Sequence, residues 1–429
     1  MASYRIEGGF PASGEVKVSG NKNAALPCLA ATLLTDDTVL LKNVPDIEDV
    51  RVMCKLLENL GSTIKKVDNQ TLEITSGNRT GLLAKDLVEA VRGSILLLGP
   101  LLAIHGEVIL DPPGGDVIGL RRLDTHFLGL SSLGASCQLQ SDGRLHLKAT
   151  HLRLRGGDIF LDEASVTATE NVIMAASLAE GESILSNAAC EPHVQNLCTM
   201  LVRMGCKIEG IGSNRLSIRG SKKLHGCEFT LGSDYMEAGS FIGLAGATGG
   251  QLLIKDVEIE HLRMIRLGFS RIGLEYVIDG PSSILVPRKQ KRKLYKEVGG
   301  HTGKVDDAPW PGFPADLLSI ITVCATQMDG SILIHEKMYE SRMYFVDWLI
   351  RMGADIILCD PHRAVVNGPS QLYGSVVTSP DVRAGMALVI AAACAEGVST
   401  IENIYQVERG YERLSEKLFA LGLAIERIV

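Results

Sequence analysis

The sequence lacks the long apolar segments of membrane and secreted proteins. Its most apolar runs, SILLLGPLLAI and MALVIAAACA, are much shorter than the roughly 20 residues that a membrane-spanning helix needs. The first ten residues, MASYRIEGGF, lack the apolar core of a signal peptide. We therefore expect a cytoplasmic protein with no membrane partner.

Basic charge and paired cysteines are also scarce. The formal net charge is −7, whereas nucleic-acid-binding domains usually carry a basic stripe, so we expect no nucleic-acid partner. The ten cysteines include no Cys-x-x-Cys pair, which argues against a disulfide framework or a zinc site. The segment HEKMY at His335 lacks the second histidine of a zinc-binding helix, and we expect no metal. The basic run 288–296 is predicted to be a solvated loop.

An internal repeat is the strongest pattern that the sequence contains. A large apolar residue, a glycine and a short predicted strand recur about every 70 residues. The glycines are Gly61, Gly134, Gly205, Gly273, Gly353 and Gly422. Each glycine is predicted to end a helix in the left-handed conformation that other residues rarely adopt.

Each repeat is predicted to contain a helix, a strand, a second helix and further strands. One helix in each repeat is apolar on all sides, as in SGNKNAALPCLAATLL at 19–34, which indicates burial all round. Six repeats divide into two domains of three with a cleft between them, and the break is predicted near 220–232. We assign 22–231 to the first domain and 1–21 plus 232–429 to the second. A predicted strand over 4–19 joins the second domain.

Polar residues precede the apolar helices, and several of them carry positive charge. Helix capping explains Asp234 and Ser165. Capping does not explain Lys22, Arg92 or Arg383, because a cation is unfavourable at the positive end of the helix dipole.

Cations at helix starts are expected where an anion binds. Free N–H groups and the helix dipole attract anions there, and the planar fork of arginine binds carboxylate and phosphate. The loops before the second helices add Arg121, Arg122, Arg342 and Arg409. We therefore predict an anion site in the cleft, lined by Lys22 and Asn23.

Several of these segments, in this order, resemble the UDP-N-acetylglucosamine enolpyruvyl transferase family. The resemblance runs from about Tyr4 to Ile428. Its landmarks are SGNKNAALP, PPGGDVIGLRRLDTH, SVTATENVIMAA, FPAD, ESRM, DVRAGMALV and ERGYERLSEKL. It implies an α/β fold of two inverted α/β-prism domains, built from six βαβαββ-type repeats, with the active site in the interdomain cleft.

The resemblance also implies a reaction. The family transfers the enolpyruvyl group of phosphoenolpyruvate to the 3′-hydroxyl of UDP-N-acetylglucosamine and releases phosphate, in the first committed step of peptidoglycan synthesis. No metal or organic cofactor is implied. The expected partners are therefore these two substrates, and the sequence leaves the oligomeric state open.

Residue roles follow from the resemblance, position by position. Lys22, Arg121 and Arg409 would hold the phosphate of phosphoenolpyruvate, with Asn23 nearby, and Arg342, Arg383 and Arg409 would hold its carboxylate. In a catalytic loop at about 111–123, Asp116 would be the general acid. Asp316 would take the proton from the attacking hydroxyl, and Asp381 would assist near the tetrahedral centre. The sugar nucleotide would contact Asn23, Arg92, Arg121, Arg122, Leu123, Asp124, Thr125, Ser165, Val166, Asp316, Met338 and Tyr339.

The sequence departs from the usual pattern of the family at three positions. The loop acid, commonly cysteine, is Asp116, so we expect insensitivity to fosfomycin, which alkylates that cysteine. A common lysine near the uracil is Glu163, and a phenylalanine before the E-x-R segment is Tyr339. Two alternatives stay open: a sister enolpyruvyl transferase acting on another nucleotide or nucleotide sugar, and a non-catalytic paralogue that binds UDP-sugar. The related 5-enolpyruvylshikimate 3-phosphate synthase matches these motifs poorly.

Overall fold

The computed structural model describes residues 2–77, 83–115 and 122–429, which divide into two compact units. Unit A comprises the described residues of 20–232, and unit B comprises residues 2–19 and 233–429. Each unit encloses its own cluster of buried apolar side chains. Within the described ranges, no helix has both the length and the apolar character to cross a membrane.

The N-terminal segment forms two strands where one was predicted. They are β1 (Ser3–Glu7) and β2 (Gly14–Lys17), and they belong to different sheets. Gly9 adopts a φ of +89° and Pro11 follows it, so the chain turns between the strands. The prediction of a single strand over 4–19 was wrong because it passed over this turn signal.

Unit A alternates helices and short strands in chain order. Short 3₁₀ segments at Thr32–Leu34 and Arg92–Leu97 adjoin its buried helices. Its elements are α1 (Lys22–Ala31), β3 (Val39–Lys42), α2 (Glu48–Asn59), β4 (Ser62–Lys66), β5 (Leu72–Ser76), α3 (Lys85–Ala90), α4 (Leu98–His105), β6 (Glu107–Leu110), α5 (Asp124–Ser132), β7 (Ala135–Leu139), β8 (Leu145–Ala149), β9 (Asp158–Phe160), α6 (Val166–Ala176), β10 (Glu182–Ser186), α7 (Pro192–Arg203), β11 (Lys207–Glu209), β12 (Arg215–Arg219) and β13 (Glu228–Thr230).

Unit B repeats the same alternation. Its 3₁₀ segments are Ile259–Leu262, Ala315–Leu317 and Arg342–Phe345. After β1 and β2 its elements are α8 (Tyr235–Thr248), β14 (Leu252–Lys255), α9 (Arg263–Arg271), β15 (Val277–Ile278), β16 (Ser283–Val286), β17 (Gly303–Asp306), α10 (Leu318–Ala325), β18 (Gly330–His335), α11 (Val346–Arg351), β19 (Asp355–Asp360), β20 (Arg363–Gly368), β21 (Val376–Thr378), α12 (Val382–Cys394), β22 (Val398–Glu402), α13 (Tyr405–Glu408), α14 (Leu414–Ala420) and β23 (Ala424–Ile428).

The described strands form six small sheets, three in each unit. Unit A contains the sheets β13-β3-β5-β4, β6-β8-β7 and β9-β10-β12-β11, and unit B contains β21-β22-β1-β23, β15-β16-β14-β2 and β17-β18-β20-β19. Every four-stranded sheet has one parallel pair at one edge and two antiparallel pairs. The same pairing therefore recurs from repeat to repeat.

Buried helices form the centre of each unit. In unit A they are α1, α4 and α6, and in unit B they are α8, α10 and α12. Nearly every residue of α6, α8 and α12 is buried, which requires apolar residues on all faces. The all-apolar helix sequences thus have the buried position that the sequence predicts.

The six repeat glycines have the predicted backbone conformation. Their φ angles lie between +78° and +106°, a region where a Cβ atom is disfavoured. Each glycine lies between the second helix of a repeat and the strand that follows it. The prediction of a glycine cap at the end of each second helix is confirmed.

Candidate active site

In unit B, one carboxylate lies between two arginines. Asp316 Oδ1 is 2.6 Å from Arg342 Nη2, and Asp316 Oδ2 is 3.0 Å from Arg383 Nε. The exposed fractions of the side chains are 23% for Asp316, 13% for Arg342 and 6% for Arg383. The structure therefore brings together three residues that the sequence placed in the site.

Three element starts place these side chains. Asp316 lies in the 3₁₀ turn Ala315–Leu317 before α10, and Arg342 opens the 3₁₀ segment Arg342–Phe345. Arg383 is the second residue of α12, and the side chain of Asp381 caps that helix by accepting from the N–H groups of Arg383 and Ala384 at 2.8 and 2.9 Å. The cap fixes the first turn of α12 and with it the Arg383 side chain.

The charges of this cluster are strongly coupled. Burial alone would raise the pKa of Asp316, yet the positive charges of Arg342 and Arg383 lower that pKa well below its ordinary value. Burial opposes the charged form of both arginines, but the neighbouring acidic groups raise the pKa of each guanidinium. Asp316 is therefore ionised at neutral pH, and its charge partly neutralises both arginines.

Two tyrosine rings lie against the two guanidinium groups. The guanidinium carbon of Arg342 is 4.7 Å from the ring centre of Tyr339, and that of Arg383 is 5.2 Å from the ring centre of Tyr411. These cation–π contacts restrict the arginine side chains. Within 2–77, 83–115 and 122–429, Arg342 Nε and Arg383 Nη1 are buried without a hydrogen-bond partner, so each arginine keeps at least one N–H group that could bind an anion.

The remaining predicted residues of unit B lie in nearby loops. Arg409 follows α13, is 5% exposed, and donates from Nη1 to Gln406 Oε1 at 3.0 Å. Met338 is 40% exposed, and its N–H group donates to Asp307.

In unit A, Lys22 is the first residue of α1 and pairs with an acidic residue. The distance from Lys22 Nζ to Asp49 Oδ2 is 2.6 Å, with 12% and 5% of the two side chains exposed. Asn21 is the N-cap, and its Oδ1 accepts from the Ala24 N–H at 3.1 Å. Lys22 and Asn23 are therefore the first two residues inside α1. The pairing with Asp49 explains how α1 tolerates a cation at its N-terminus.

Arg92 packs against the segment that precedes the predicted general acid. Its Nη1 donates to the Pro113 carbonyl oxygen at 3.4 Å. A Cβ atom at Gly115 would lie 2.6 Å from Arg92 Cβ, and one at Gly114 would lie 1.7 Å from the Glu89 carbonyl oxygen. Only glycine allows this close approach. The predicted residues Asp116 and Arg121 lie outside the described residues.

The start of α5 packs against the start of α6. Thr125 Oγ1 donates to Asp162 Oδ1 at 2.8 Å, and His126 Nε2 lies 3.0 Å from Thr167 Oγ1. Burial and the charge of Arg92 lower the pKa of His126 to about 4, so the imidazole is neutral at pH 7. Of the other predicted residues, Leu123 and Val166 are half-buried, and Arg122 and Asp124 are exposed.

One predicted cap is wrong. Ser165 precedes α6 and has an extended backbone. Among the N–H groups that the structure describes, none at the start of α6 is capped by the Ser165 hydroxyl. By contrast, Asp234 Oδ1 accepts from the N–H groups of Met236 and Glu237 at 2.8 and 3.1 Å, which confirms the cap predicted for α8.

The basic run 288–296 is largely a solvated loop, as predicted. Arg288, Lys289, Lys291 and Lys293 are exposed. Arg292 is the exception, because its Nη2 donates to the carbonyl oxygens of Gly246 and Ala247, both at 2.9 Å. It thereby binds the free carbonyl groups at the end of α8.

Sequence reasoning missed three polar residues around these clusters. Asp49 lies 27 positions from Lys22, and only the tertiary structure shows their pairing. His126 stands inside the landmark PPGGDVIGLRRLDTH, and Tyr411 stands inside ERGYERLSEKL, so the motifs contained both residues without indicating their contacts. In the part of the chain that the structure describes, no group of three or more His, Cys, Asp or Glu residues could hold a metal ion.

Comparisons with known proteins agree on one family. The family model for EPSP synthase (3-phosphoshikimate 1-carboxyvinyltransferase) matches residues 6–418. The chain is 57% identical over 427 residues to the UDP-N-acetylglucosamine 1-carboxyvinyltransferase of Treponema denticola, covering 99% of both chains. It is 53% identical over 429 residues to the protein of the same name in Borrelia garinii subsp. bavariensis, covering 100% of this chain and 99% of the relative.

A solved structure shows the same fold. The enolpyruvyl transferase NikO from Streptomyces tendae superposes with a TM-score of 0.86 at 23% identity, covering 100% of this chain and 99% of NikO. At this identity the likeness concerns the fold alone, and it confirms the predicted two-domain α/β class. The chain belongs to the enolpyruvyl transferase family, and it is a transferase.

Proposed function

We propose that this enzyme transfers the enolpyruvyl group of phosphoenolpyruvate to the 3′-hydroxyl of UDP-N-acetylglucosamine and releases phosphate. The observation that carries the proposal is identity above 50% over essentially the full length with relatives that bear one name. The proposal extends to the first committed step of peptidoglycan synthesis and to the cytoplasm, as the resemblance of the motifs to this family implies.

The arginine cluster of unit B supports binding of phosphoenolpyruvate. We propose that Arg342 and Arg383, with Arg409, bind its carboxylate. The guanidinium groups of Arg342 and Arg383 both contact the carboxylate of Asp316. The buried N–H groups of Arg342 and Arg383 that have no partner within the described residues are donors for a second carboxylate. Lys22, Arg121 and Arg409 would hold the phosphate, where clustered cations stabilise the charge that develops as it leaves.

Asp316 is proposed as the base that accepts the proton of the attacking hydroxyl. In the structure its pKa is lowered well below the ordinary value by Arg342 and Arg383, so it is ionised but weakly basic. A substrate carboxylate bound to the same two arginines would share their charge and raise the pKa of Asp316. Binding of phosphoenolpyruvate would thus make Asp316 a better base at the moment it is needed.

The proposed reaction proceeds by addition and elimination. The 3′-oxygen bonds to C2 of phosphoenolpyruvate and its proton goes to Asp316, while Asp116 gives a proton to C3. In the second stage C3 returns a proton to Asp116, and the bond from C2 to the phosphate oxygen breaks with its electron pair leaving on phosphate. The proton held by Asp316 then passes to the released phosphate or to solvent. We propose that Asp381 assists near the tetrahedral centre through its position at the start of α12, next to Arg383.

The sugar nucleotide is assigned mainly to loops of unit A. We propose that Arg92 and the start of α5 bind the uridine diphosphate. The residues are Asn23, Arg92, Arg121, Arg122, Leu123, Asp124, Thr125, Ser165, Val166, Asp316, Met338 and Tyr339. Glu163 is exposed, so its charge can turn towards solvent and away from the diphosphate.

The test is phosphate release from phosphoenolpyruvate with a panel of acceptors. UDP-N-acetylglucosamine should support steady release, whereas UMP and shikimate 3-phosphate should not exceed the blank without acceptor. Release with another acceptor alone would assign the chain to a sister transferase. Binding of UDP-N-acetylglucosamine without release would indicate a non-catalytic paralogue.

A further inference from the structure

Two buried carboxyl groups meet beneath the loop 336–339 of unit B. Asp307 is fully buried and Glu336 is 1% exposed, and their side chains form a hydrogen bond with each other. Ionised carboxylates only accept hydrogen bonds, so a bond between two carboxyl groups requires a proton on one of them. The pair therefore carries one proton and one negative charge.

The carboxyl pair also holds the loop. Asp307 Oδ1 accepts from the Lys337 N–H at 2.5 Å, and Oδ2 accepts from the Met338 N–H at 3.2 Å. Glu336 Oε1 accepts from the Tyr339 N–H at 3.2 Å. Three successive backbone N–H groups thus donate hydrogen bonds to two buried side chains. The loop then leads into Arg342, whose guanidinium lies over the Tyr339 ring.

The structure indicates which partner keeps the proton. Both oxygens of Asp307 already accept a backbone N–H group, whereas only Oε1 of Glu336 does so. Burial and the hydrogen bond to Asp307 raise the pKa of Glu336 to about 9, although the charge of Arg342 opposes this shift. The charged and titratable groups around Glu336 are Asp307 after β17, His362 at the β19–β20 turn, Arg342, and Asp381 and Arg383 at the start of α12.

Glu336 and Arg342 line the same small cavity, together with Ser319, Asp381 and Arg383. Its volume is about 10 Å³, which is room for a single water molecule. Glu336 therefore does not contact a substrate through this cavity. It can act on binding only through Arg342 and the loop.

We propose that Glu336 and Asp307 form a positioning pair, in which one shared proton fixes the loop 336–339 and leaves the charge of Arg342 available to the substrate carboxylate. The inference rests on the proposed function, because it concerns how the enzyme binds phosphoenolpyruvate. Asp316 already neutralises part of the charge of Arg342. An ionised Glu336 would add a further negative charge to those of Asp316 and Asp381, whereas a protonated Glu336 does not.

The proposal predicts a specific dependence on pH. Glu336 is neutral below a pH of about 9 and becomes ionised above it. The KM for phosphoenolpyruvate should therefore rise about fivefold between pH 8 and pH 10, as expected for a coupling of about one pKa unit. The value of kcat should change much less, because Glu336 does not touch the reacting atoms.

The variant Glu336→Gln provides the decisive comparison. Glutamine can donate to Asp307 and accept from the Tyr339 N–H as the protonated acid does, but it cannot ionise. The ratio of KM between wild type and Glu336→Gln should stay near one at pH 7 and reach about five at pH 10. Glu340→Gln, which changes an exposed acid directly after the loop, should follow the wild-type profile. A parallel rise of KM in wild type and Glu336→Gln would overturn the proposal.

A measurement without turnover separates this inference from the proposed function. Protein labelled with ¹³C at the glutamate carboxyl groups should show one resonance that is absent in Glu336→Gln and titrates near pH 9. Titration of that resonance below pH 6 would overturn the positioning pair even if the enzyme is active. If wild type releases no phosphate with any acceptor, the proposed function fails, while the resonance still reports the proton.

Discussion

The carboxylate of Asp316 offers a sharp test of the arginine cluster. Asp316→Asn keeps the shape of the side chain and removes the charge that pairs with Arg342 and Arg383. Removal of one partner from a buried ion pair costs about 3–5 kcal/mol. Because 23% of the Asp316 side chain is exposed, solvent screening reduces this, and we expect a loss of about 2–3 kcal/mol in the free energy of unfolding.

The same substitution should strengthen binding of anions. Once the carboxylate is gone, both guanidiniums keep their full charge, and inorganic phosphate should bind to the variant about tenfold more tightly than to wild type. A ligand at 100 times its Kd stabilises the folded state by about 2.7 kcal/mol. Saturating phosphate should therefore restore most of the lost stability. Turnover should fall all the same, because the amide cannot accept the hydroxyl proton.

Urea unfolding followed by circular dichroism, with and without phosphate, measures both effects. Asp306→Asn is the matched control, because Asp306 also lies between two cations, Lys304 and Lys337, with 20% of its side chain exposed. These lysines are 41% exposed, so the control should lose no more than about 1 kcal/mol and gain nothing from phosphate. Equal stability of Asp316→Asn and wild type, or equal insensitivity to phosphate, would refute the reasoning.

The pH dependence of the stability gives a further check on the ion pairs of Asp316. The pKa of Asp316 is lowered in the folded state, so its stabilising effect is complete above the unfolded value of about 3.9 and is lost as the pH falls through the folded value. The difference in stability between wild type and Asp316→Asn should therefore be constant from pH 7 to pH 5. It should shrink below about pH 4, and a difference that vanished already at pH 6 would point to another group.

Three further predictions concern single side chains. Arg409→Ala should lower turnover about 30- to 1000-fold, since it removes a charge-assisted contact worth about 2–4 kcal/mol in the transition state, and steady-state rates near those of wild type would remove its assignment. Fosfomycin should not inactivate the enzyme, because the carboxylate of Asp116 is a much poorer nucleophile than a thiolate. The variant Asp116→Cys should become sensitive to fosfomycin. Time-dependent inactivation of the natural enzyme would contradict the predicted insensitivity. Asp234→Ala should lower the free energy of unfolding by about 1 kcal/mol, because it removes the cap of α8. Ser165→Ala should change that free energy by less than about 0.5 kcal/mol. If urea unfolding gave equal losses of stability for the two variants, the two helix starts would not differ in capping.

The repeat architecture was predictable because its signals are local. A glycine after each second helix requires only its own backbone conformation, and an all-apolar helix requires only burial on every side. The predicted strand over 4–19 failed at a local signal that was present, since Gly9 and Pro11 turn the chain between β1 and β2. Composition and periodicity thus recovered the repeats but missed one break between sheets.

The side-chain partners were harder to predict because they depend on residues far apart in the chain. Arg383 pairs with Asp316 across 67 positions, and Lys22 pairs with Asp49 across 27. Sequence reasoning identified the cations and Asp316, but it did not identify Asp49 or predict either of these ion pairs. Ser165 shows a related error, because a residue type that favours helix caps does not by itself form the hydrogen bond.

The identity of the product tests the proposed function most directly. Phosphoenolpyruvate and UDP-N-acetylglucosamine, incubated with the enzyme, should yield phosphate and a sugar nucleotide that carries an enolpyruvyl ether on the 3′-oxygen of the sugar. Proton NMR of the purified product should show two vinyl protons on one CH2 carbon. The adjacent enol carbon, which bears no proton, should correlate through the ether oxygen with the 3′ proton of the sugar. Asp316→Asn should give this product at a greatly reduced rate. Phosphate release without the ether, or an ether at another position, would contradict the proposed reaction.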